Sequence, residues 1–202
     1  MEEIIDTGFD SLNEILVEGY SGNSNELIIA TAGNENNINE YLLRTINSYV
    51  NQDVPLAYVS YGEDDDVAAK FPMIYHFNSS VAFRELWLML RDLKRNAGIK
   101  LVVFNNMILL YPMLKYRGTF TSVFIAFSRQ LRGLSLELGI PIIATAPHFA
   151  LSLTFRGERI EQDADVIISL ERDNNQLKPI VPKNRSGKCH LNFTEWIERQ
   201  NL

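Results

Sequence analysis

Five short runs of this chain carry apolar residues at both parities: Glu26–Ala32 (ELIIATA), Pro55–Ser60 (PLAYVS), Leu101–Phe104 (LVVF), Ile140–Ala146 (IPIIATA) and Asp165–Leu170 (DVIISL). A strand that alternates apolar and polar residues buries one face. A strand that is apolar at both parities must be covered on both, which is the condition of a parallel sheet between two layers of helices. The intervening segments supply those helices. Ile38, Tyr41, Leu42, Thr45, Ile46 and Tyr49 trace one helical face. Phe83, Leu86, Leu90 and Leu93 trace another within Val81–Asn96, closed by Ala97-Gly98. Val123, Phe127, Leu131, Leu134 and Leu138 trace a third within Thr121–Leu138, which Gly139 ends. Ile74–Phe77 reads as a further short strand, and Lys178–Pro182 and His190–Phe193 as edge strands or a hairpin around Ser186-Gly187. Tyr111–Thr121 and Phe149–Arg159 read as long loops. The expected fold is α/β, a mostly parallel twisted sheet with helices on both faces and an antiparallel edge at its C-terminal end.

The 202 residues suit one domain spanning 1–202, with 46% hydrophobic residues to fill its core. Cys189 is the single cysteine, so no intrachain disulfide forms, and the Cys/His pattern of a metal site is missing. Apolar runs fall short of the roughly 18 residues a membrane span needs. The first residues, Met1-Glu2-Glu3, are acidic where a signal peptide would be basic, so the expected location is the cytoplasm. Nineteen Lys+Arg stand against 25 Asp+Glu, a formal net charge of -6. Phosphate neutralisation supplies most nucleic-acid affinity, so any such contact must come from a local basic strip.

Ligands of open parallel sheets bind at the carboxyl ends of the strands. That points to the turns after Ala32, Ser60, Phe104 and Ala146. The first of them, Ala32-Gly33-Asn34-Glu35-Asn36-Asn37-Ile38-Asn39, lies between strand and helix as a phosphate-binding loop does. Such a loop needs a terminal Gly-Lys-Ser/Thr, the ammonium for phosphate oxygens and the hydroxyl for Mg²⁺. This one has none of the three. The Asn34–Asn37 run suits side-chain capping of the helix amides that a phosphate would otherwise use. A residual anion site at Gly33 is the alternative.

Several segments in order resemble the C-terminal, RecA-like ATPase domain of the hexameric DnaB-type replicative helicases. They are Ile5-Asp6-Thr7-Gly8-Phe9-Asp10-Ser11-Leu12-Asn13, Ser128-Arg129-Gln130-Leu131, Leu138 through Ala144, Ile160-Glu161-Gln162-Asp163-Ala164-Asp165-Val166, Arg172-Asp173, and Lys183-Asn184-Arg185-Ser186-Gly187. The resemblance runs nearly end to end. It implies a RecA-like P-loop NTPase fold and a DNA-replication or recombination setting. It also locates losses. The phosphate-loop Lys falls on Ile38, the Mg²⁺-binding hydroxyl on Asn39 and the last loop Gly on Asn37. The Walker B Asp is Asn105, the sensing Gln is Pro147, and the general-base Glu falls on or near Gly62, with Glu63 one residue late. Isoleucine cannot neutralise a γ-phosphate, and an amide cannot supply the carboxylate charge that anchors hydrated Mg²⁺.

Lys183-x-Arg185-x-Gly187 matches the element that, in ring helicases, reaches across to a neighbour's γ-phosphate. Three readings stay open for it: a donated finger, a structural contact, or a solvated hairpin tip. Lys115, Arg117, Arg156 and Arg159 fall in segments similar to the family's central-channel loops, with Tyr116 and Phe155 beside them for base stacking. They are the candidates for weak, salt-dependent contact with single-stranded DNA. Glu63-Asp64-Asp65-Asp66 reads as a solvated loop, His148 as a histidine facing the cleft after the fourth main strand, and Cys189 as half-buried.

The expected function is therefore a non-catalytic DnaB-helicase-like protein acting by binding, as an accessory, regulatory or scaffold component. No cofactor or metal is expected, and a protein partner is, either a true helicase or a second copy, with monomer or dimer favoured over hexamer. One alternative is a divergent ATPase using ATP and Mg²⁺, with Glu63 as base, Asn105 on a metal-bound water and the lysine supplied from elsewhere. A second is a single-stranded nucleic-acid-binding module.

Overall fold

A computed structural model of the chain describes residues 5–16, 24–61, 66–78, 80–110, 118–154, 160–191 and 193–199. The strands are β1 (Leu27–Ala32), β2 (Leu56–Ser60), β3 (Tyr75–Asn78), β4 (Leu101–Phe104), β5 (Ile142–Pro147), β6 (Val166–Asp173) and β7 (Gln176–Asn184). They form one sheet in the order β3-β2-β4-β5-β1-β6-β7. Every pairing is parallel except β6 with β7. This is the RecA-like α/β fold the sequence predicts.

Both-parity apolarity divides the strands between two cores. Leu27, Ile29, Ala57, Val59, Val102, Phe104, Ile142 and Ala144 face one, while Ile28, Ala30, Leu56, Tyr58, Leu101, Val103 and Ile143 face the other. The first core is covered by α4 (Phe83–Asn96), α5 (Met107–Leu110), α6 (Phe120–Leu138), α7 (His148–Thr154) and α9 (Phe193–Arg199). Phe83 and Phe127 meet edge to face there, with centroids 5.5 Å apart, and Phe104 packs on Phe127 at 6.0 Å. The second core is covered by α1 (Asp10–Ile15), α2 (Glu35–Asn51) and α3 (Asp66–Lys70). The remaining short helix, α8 (Ile160–Asp163), leads into β6.

All the helical stripes expected from sequence are buried apart from Leu93, which packs half-buried against the first core. Each fully buried Leu, Ile or Phe contributes roughly 1.5–3 kcal/mol, so these faces fix the layers. Gly139 ends α6 at φ 62, a left-handed conformation that glycine adopts without Cβ strain.

Three local expectations fail. The hairpin does not turn at Ser186-Gly187. It turns at Asn174-Asn175, where both φ values are positive (48 and 65), as a two-residue hairpin turn requires. His190 and Leu191 are not in a strand, and α9 begins at Phe193. The predicted loop Phe149–Arg159 starts inside α7, because Ala150 and Leu151 bury against the first core and carry the helix with them. Among the described residues, no helix is long and apolar enough to cross a membrane.

Candidate functional site

Parallel register brings the ends of β1, β2, β4 and β5 to one rim: Ala32 is level with Pro147, Phe104 with Ala144, and Val59 with Phe104. Only Gly33 and Asn34 separate β1 from α2. The segment that would have to wrap phosphates is instead wound into the first turns of the helix. Asn34 is its N-cap, with Oδ1 accepting from the Asn36 amide at 2.9 Å. Asn37 does something the sequence does not reveal. Its side chain is buried and donates to the Leu170 carbonyl of β6 at 3.3 Å. Ile38 is only 4% exposed and belongs to the second core, whereas Asn39 is exposed. Position 38 thus points an alkyl group into the protein at the place where a phosphate loop aims an ammonium at its ligand.

Asn105, at the end of β4, is equally committed. Its Nδ2 donates to the Tyr58 hydroxyl at 2.8 Å, and its Oδ1 accepts from Thr145 Oγ1 at 3.1 Å. Thr145 Oγ1 in turn accepts from the Asn106 amide at 2.7 Å. This chain of neutral groups ties β2, β4 and β5 together at the rim and holds Asn106 at φ 63. A carboxylate at position 105 could not donate to Tyr58. Next to it, Ser60 Oγ lies 2.8 Å from His76 Nε2, and the serine is fully buried.

His148, the first residue of α7, borders the turn on its other side. A Cβ at Gly33 would lie 3.6 Å from its Nδ1. The ring stands edge-on to buried Trp196 of α9, with centroids 5.8 Å apart. Burial pushes the imidazole pKa down, and a hydrogen bond with the Thr31 backbone partly offsets this. His148 therefore faces the cleft as expected, but α9 also packs there, which the sequence does not reveal. Among the described residues, no group of three or more His, Cys, Asp or Glu side chains is placed to hold a metal ion. The donor set at the rim, amides and hydroxyls with neither lysine nor carboxylate at the loop and β4 positions, does not fit a Mg²⁺–nucleotide.

Lys183 and Arg185 lie at the opposite edge of the sheet, because Asn184 pairs with Val166, itself level with Ile28 near the start of β1. Lys183 Nζ donates to the Ala164 carbonyl at 2.6 Å. Arg185 bonds the Gln162 carbonyl at 2.7 Å and pairs with Asp165 at 2.8 Å. Asp165 is nearly inaccessible and also takes Arg132 at 2.7 Å and the Leu27 amide at 2.9 Å.

Comparison with known proteins places this geometry. The solved ATPase domain of one DnaB-like helicase superposes with a TM-score of 0.73 at 19% identity, covering 92% of this chain and 85% of that one. A DnaB-like replicative helicase, whose structure was described with its interactions with primase, gives 0.72, also at 19% identity, over 92% of this chain and 57% of that one. The chain has the fold of a DnaB-type helicase ATPase domain. Over 77 residues it is 40% identical to the replicative DNA helicase DnaB of Treponema pallidum (strain Nichols), a stretch equal to 32% of this chain and 17% of that protein. The match thus spans about a sixth of that curated relative. No protein-family model matches the chain.

Within the DnaB-type fold, the segment at residues 5–13 has a structural task. Asp6 Oδ1 accepts from the Gly8 amide at 2.8 Å and from Asn13 Nδ2 at 2.7 Å, and Thr7 Oγ1 donates to Asn13 Oδ1 at 2.7 Å. Gly8, at φ 84, lets the backbone come so close to α2 that a Cβ would lie 2.9 Å from the Arg44 carbonyl oxygen. Glu63 and the basic candidates Lys115, Arg117, Arg156 and Arg159 fall outside the described residues. Cys189 is exposed, not half-buried, since the segment after β7 runs over the surface.

Proposed function

We propose that this chain is a non-catalytic relative of the DnaB-type helicases that acts by binding in a DNA-replication or recombination setting, as an accessory, regulatory or scaffold component. One observation carries the reading: the strand-to-helix turn is consumed by its own side chains. Asn34 caps α2, Asn37 is bonded to β6, and Ile38 is core. The neutral bonds of Asn105 to Tyr58 and Thr145 support it, since they employ the group at the Walker B position for structure.

Calorimetric titration of ATP and ADP, with Mg²⁺ at low salt, tests the proposal. No heat up to millimolar nucleotide is expected. Micromolar binding would overturn it and favour the divergent ATPase.

A protein partner, either a true helicase or a second copy, fits such a role. The intrachain bonds of Lys183 and Arg185 favour the structural-contact reading of those residues over a donated finger. Mixing the protein with a competent DnaB-type helicase checks this. The structural reading expects the helicase's ATPase rate to be the same with wild-type chain and with Arg185→Ala; a loss of stimulation specific to the variant would restore the finger.

A further inference from the structure

The β6–β7 hairpin reaches beyond the sheet rim and meets the start of α2, and one side chain makes the junction. Arg172 donates from Nε to Asn37 Oδ1 at 2.8 Å, from Nη1 to the Asn175 carbonyl at 2.9 Å and from Nη2 to Glu40 Oε2 at 2.5 Å. All three guanidinium nitrogens are used, each on a different residue. Asn37 closes the circuit by donating to Leu170, two residues before Arg172 on the same strand. Glu40 also takes Arg44 at 2.6 Å, and the Arg44 guanidinium stands 5.4 Å over the Phe9 ring.

We infer that the hairpin tip is a strap over the β1–α2 turn, with Arg172 as its buckle, so that the hairpin tip and the first turn of α2 open and close as one unit. Helix termini ordinarily fray independently of their surroundings, because their first amides lack partners within the helix. Here the first turn is held at both ends of its span. Asn34 secures the Asn36 amide from below, and Arg172 grips Asn37 and Glu40 from the hairpin. The planar fork of a guanidinium serves three acceptors at fixed angles, which a lysine ammonium on one flexible stem cannot reproduce. The strap stands whether or not nucleotide binds elsewhere on the rim.

Native-state amide hydrogen exchange on the full chain tests the coupling. In Arg172→Ala, exchange at residues 35–38 and at 173–176 is expected to rise together by at least about tenfold, while residues 102–104 and 143–146 stay within about twofold of wild type. Arg172→Lys should fall between, keeping Glu40 and losing Asn37. Faster exchange in the hairpin alone would overturn the strap, as would no change in either segment or a uniform rise across the sheet. Should Arg172→Ala fail to fold, Asn37→Ala is read the same way: joint release of both segments supports the strap, and independent behaviour overturns it.

Discussion

At the carboxyl ends of the strands, Asn105, Thr145 and Tyr58 form a chain of neutral hydrogen bonds, whereas at the amino ends a buried aspartate, Asp165, is held between Arg132 and Arg185. The two ends are roughly 17 Å apart along a six-residue strand. A triphosphate and its metal need charge at the first end, but this chain keeps its buried charge at the second. Neutral bonds each contribute about 1 kcal/mol net and tolerate exchange. A buried carboxylate shared by two arginines is far less forgiving, because removing one member leaves the others without a counter-charge in a poorly solvated place.

That contrast orders the expected losses. Asp165→Ala should have the largest effect, about 3–5 kcal/mol of unfolding free energy in a urea titration, since it strands Arg132 and frees the Leu27 amide. A loss below about 1 kcal/mol would show that the two ends are energetically alike. Asn105→Leu, which deletes the rim network but keeps an apolar volume, should cost about 1–3 kcal/mol by unpairing Tyr58 and Thr145. If that variant proved as damaging as Asp165→Ala, the neutral end would be the keystone. Asn34→Ala removes the cap and should cost about 0.5–2 kcal/mol, and Asn34→Gly only a few tenths. Equal losses for both would argue against capping.

The smallest effect concerns pH. Burial lowers the pKa of His148, and burial with the nearby Lys178 lowers that of His190, whose Nδ1 accepts from the Val181 amide at 2.9 Å. The native state therefore favours neutral imidazoles, and the unfolded chain takes up protons first. Their contribution is complete above the ordinary histidine value of about 6.5 and is lost as pH falls below it toward the depressed native values. Denaturation midpoints should decline between about pH 7.5 and about pH 5, and His148→Phe should flatten part of that slope. An unchanged slope would leave His190 or carboxylates responsible.

Much of the fold is legible in the sequence because burial follows periodicity. Both-parity runs such as Leu101–Phe104 announce strands covered on two faces, and the Phe127–Leu131–Leu134–Leu138 stripe announces α6. The site is legible only by subtraction. Ile38 and Asn105 are identities that a reader can find missing from a pattern, but what replaces the pattern is not readable. The Asn34–Asn37 run looks like a set of equivalent caps, yet Asn34 caps while Asn37 bridges to β6. Asn174-Asn175 and Ser186-Gly187 are both turn-forming pairs, and only the pairing of β6 with β7 puts the hairpin at the first.

The sequence by itself determined the layered sheet, the helix faces and the absence of a phosphate-loop lysine, because each is set by residue identity or by spacing within a few turns of chain. Only the tertiary structure decided that Asp165 meets the Leu27 amide 138 residues away, that Arg172 meets Asn37 across 135, and that Trp196 packs on His148. Those contacts join segments whose proximity depends on strand order. β6 settles beside β1 only after the intervening strands have taken the other side of the sheet, and no local pattern encodes which polar group will then be waiting.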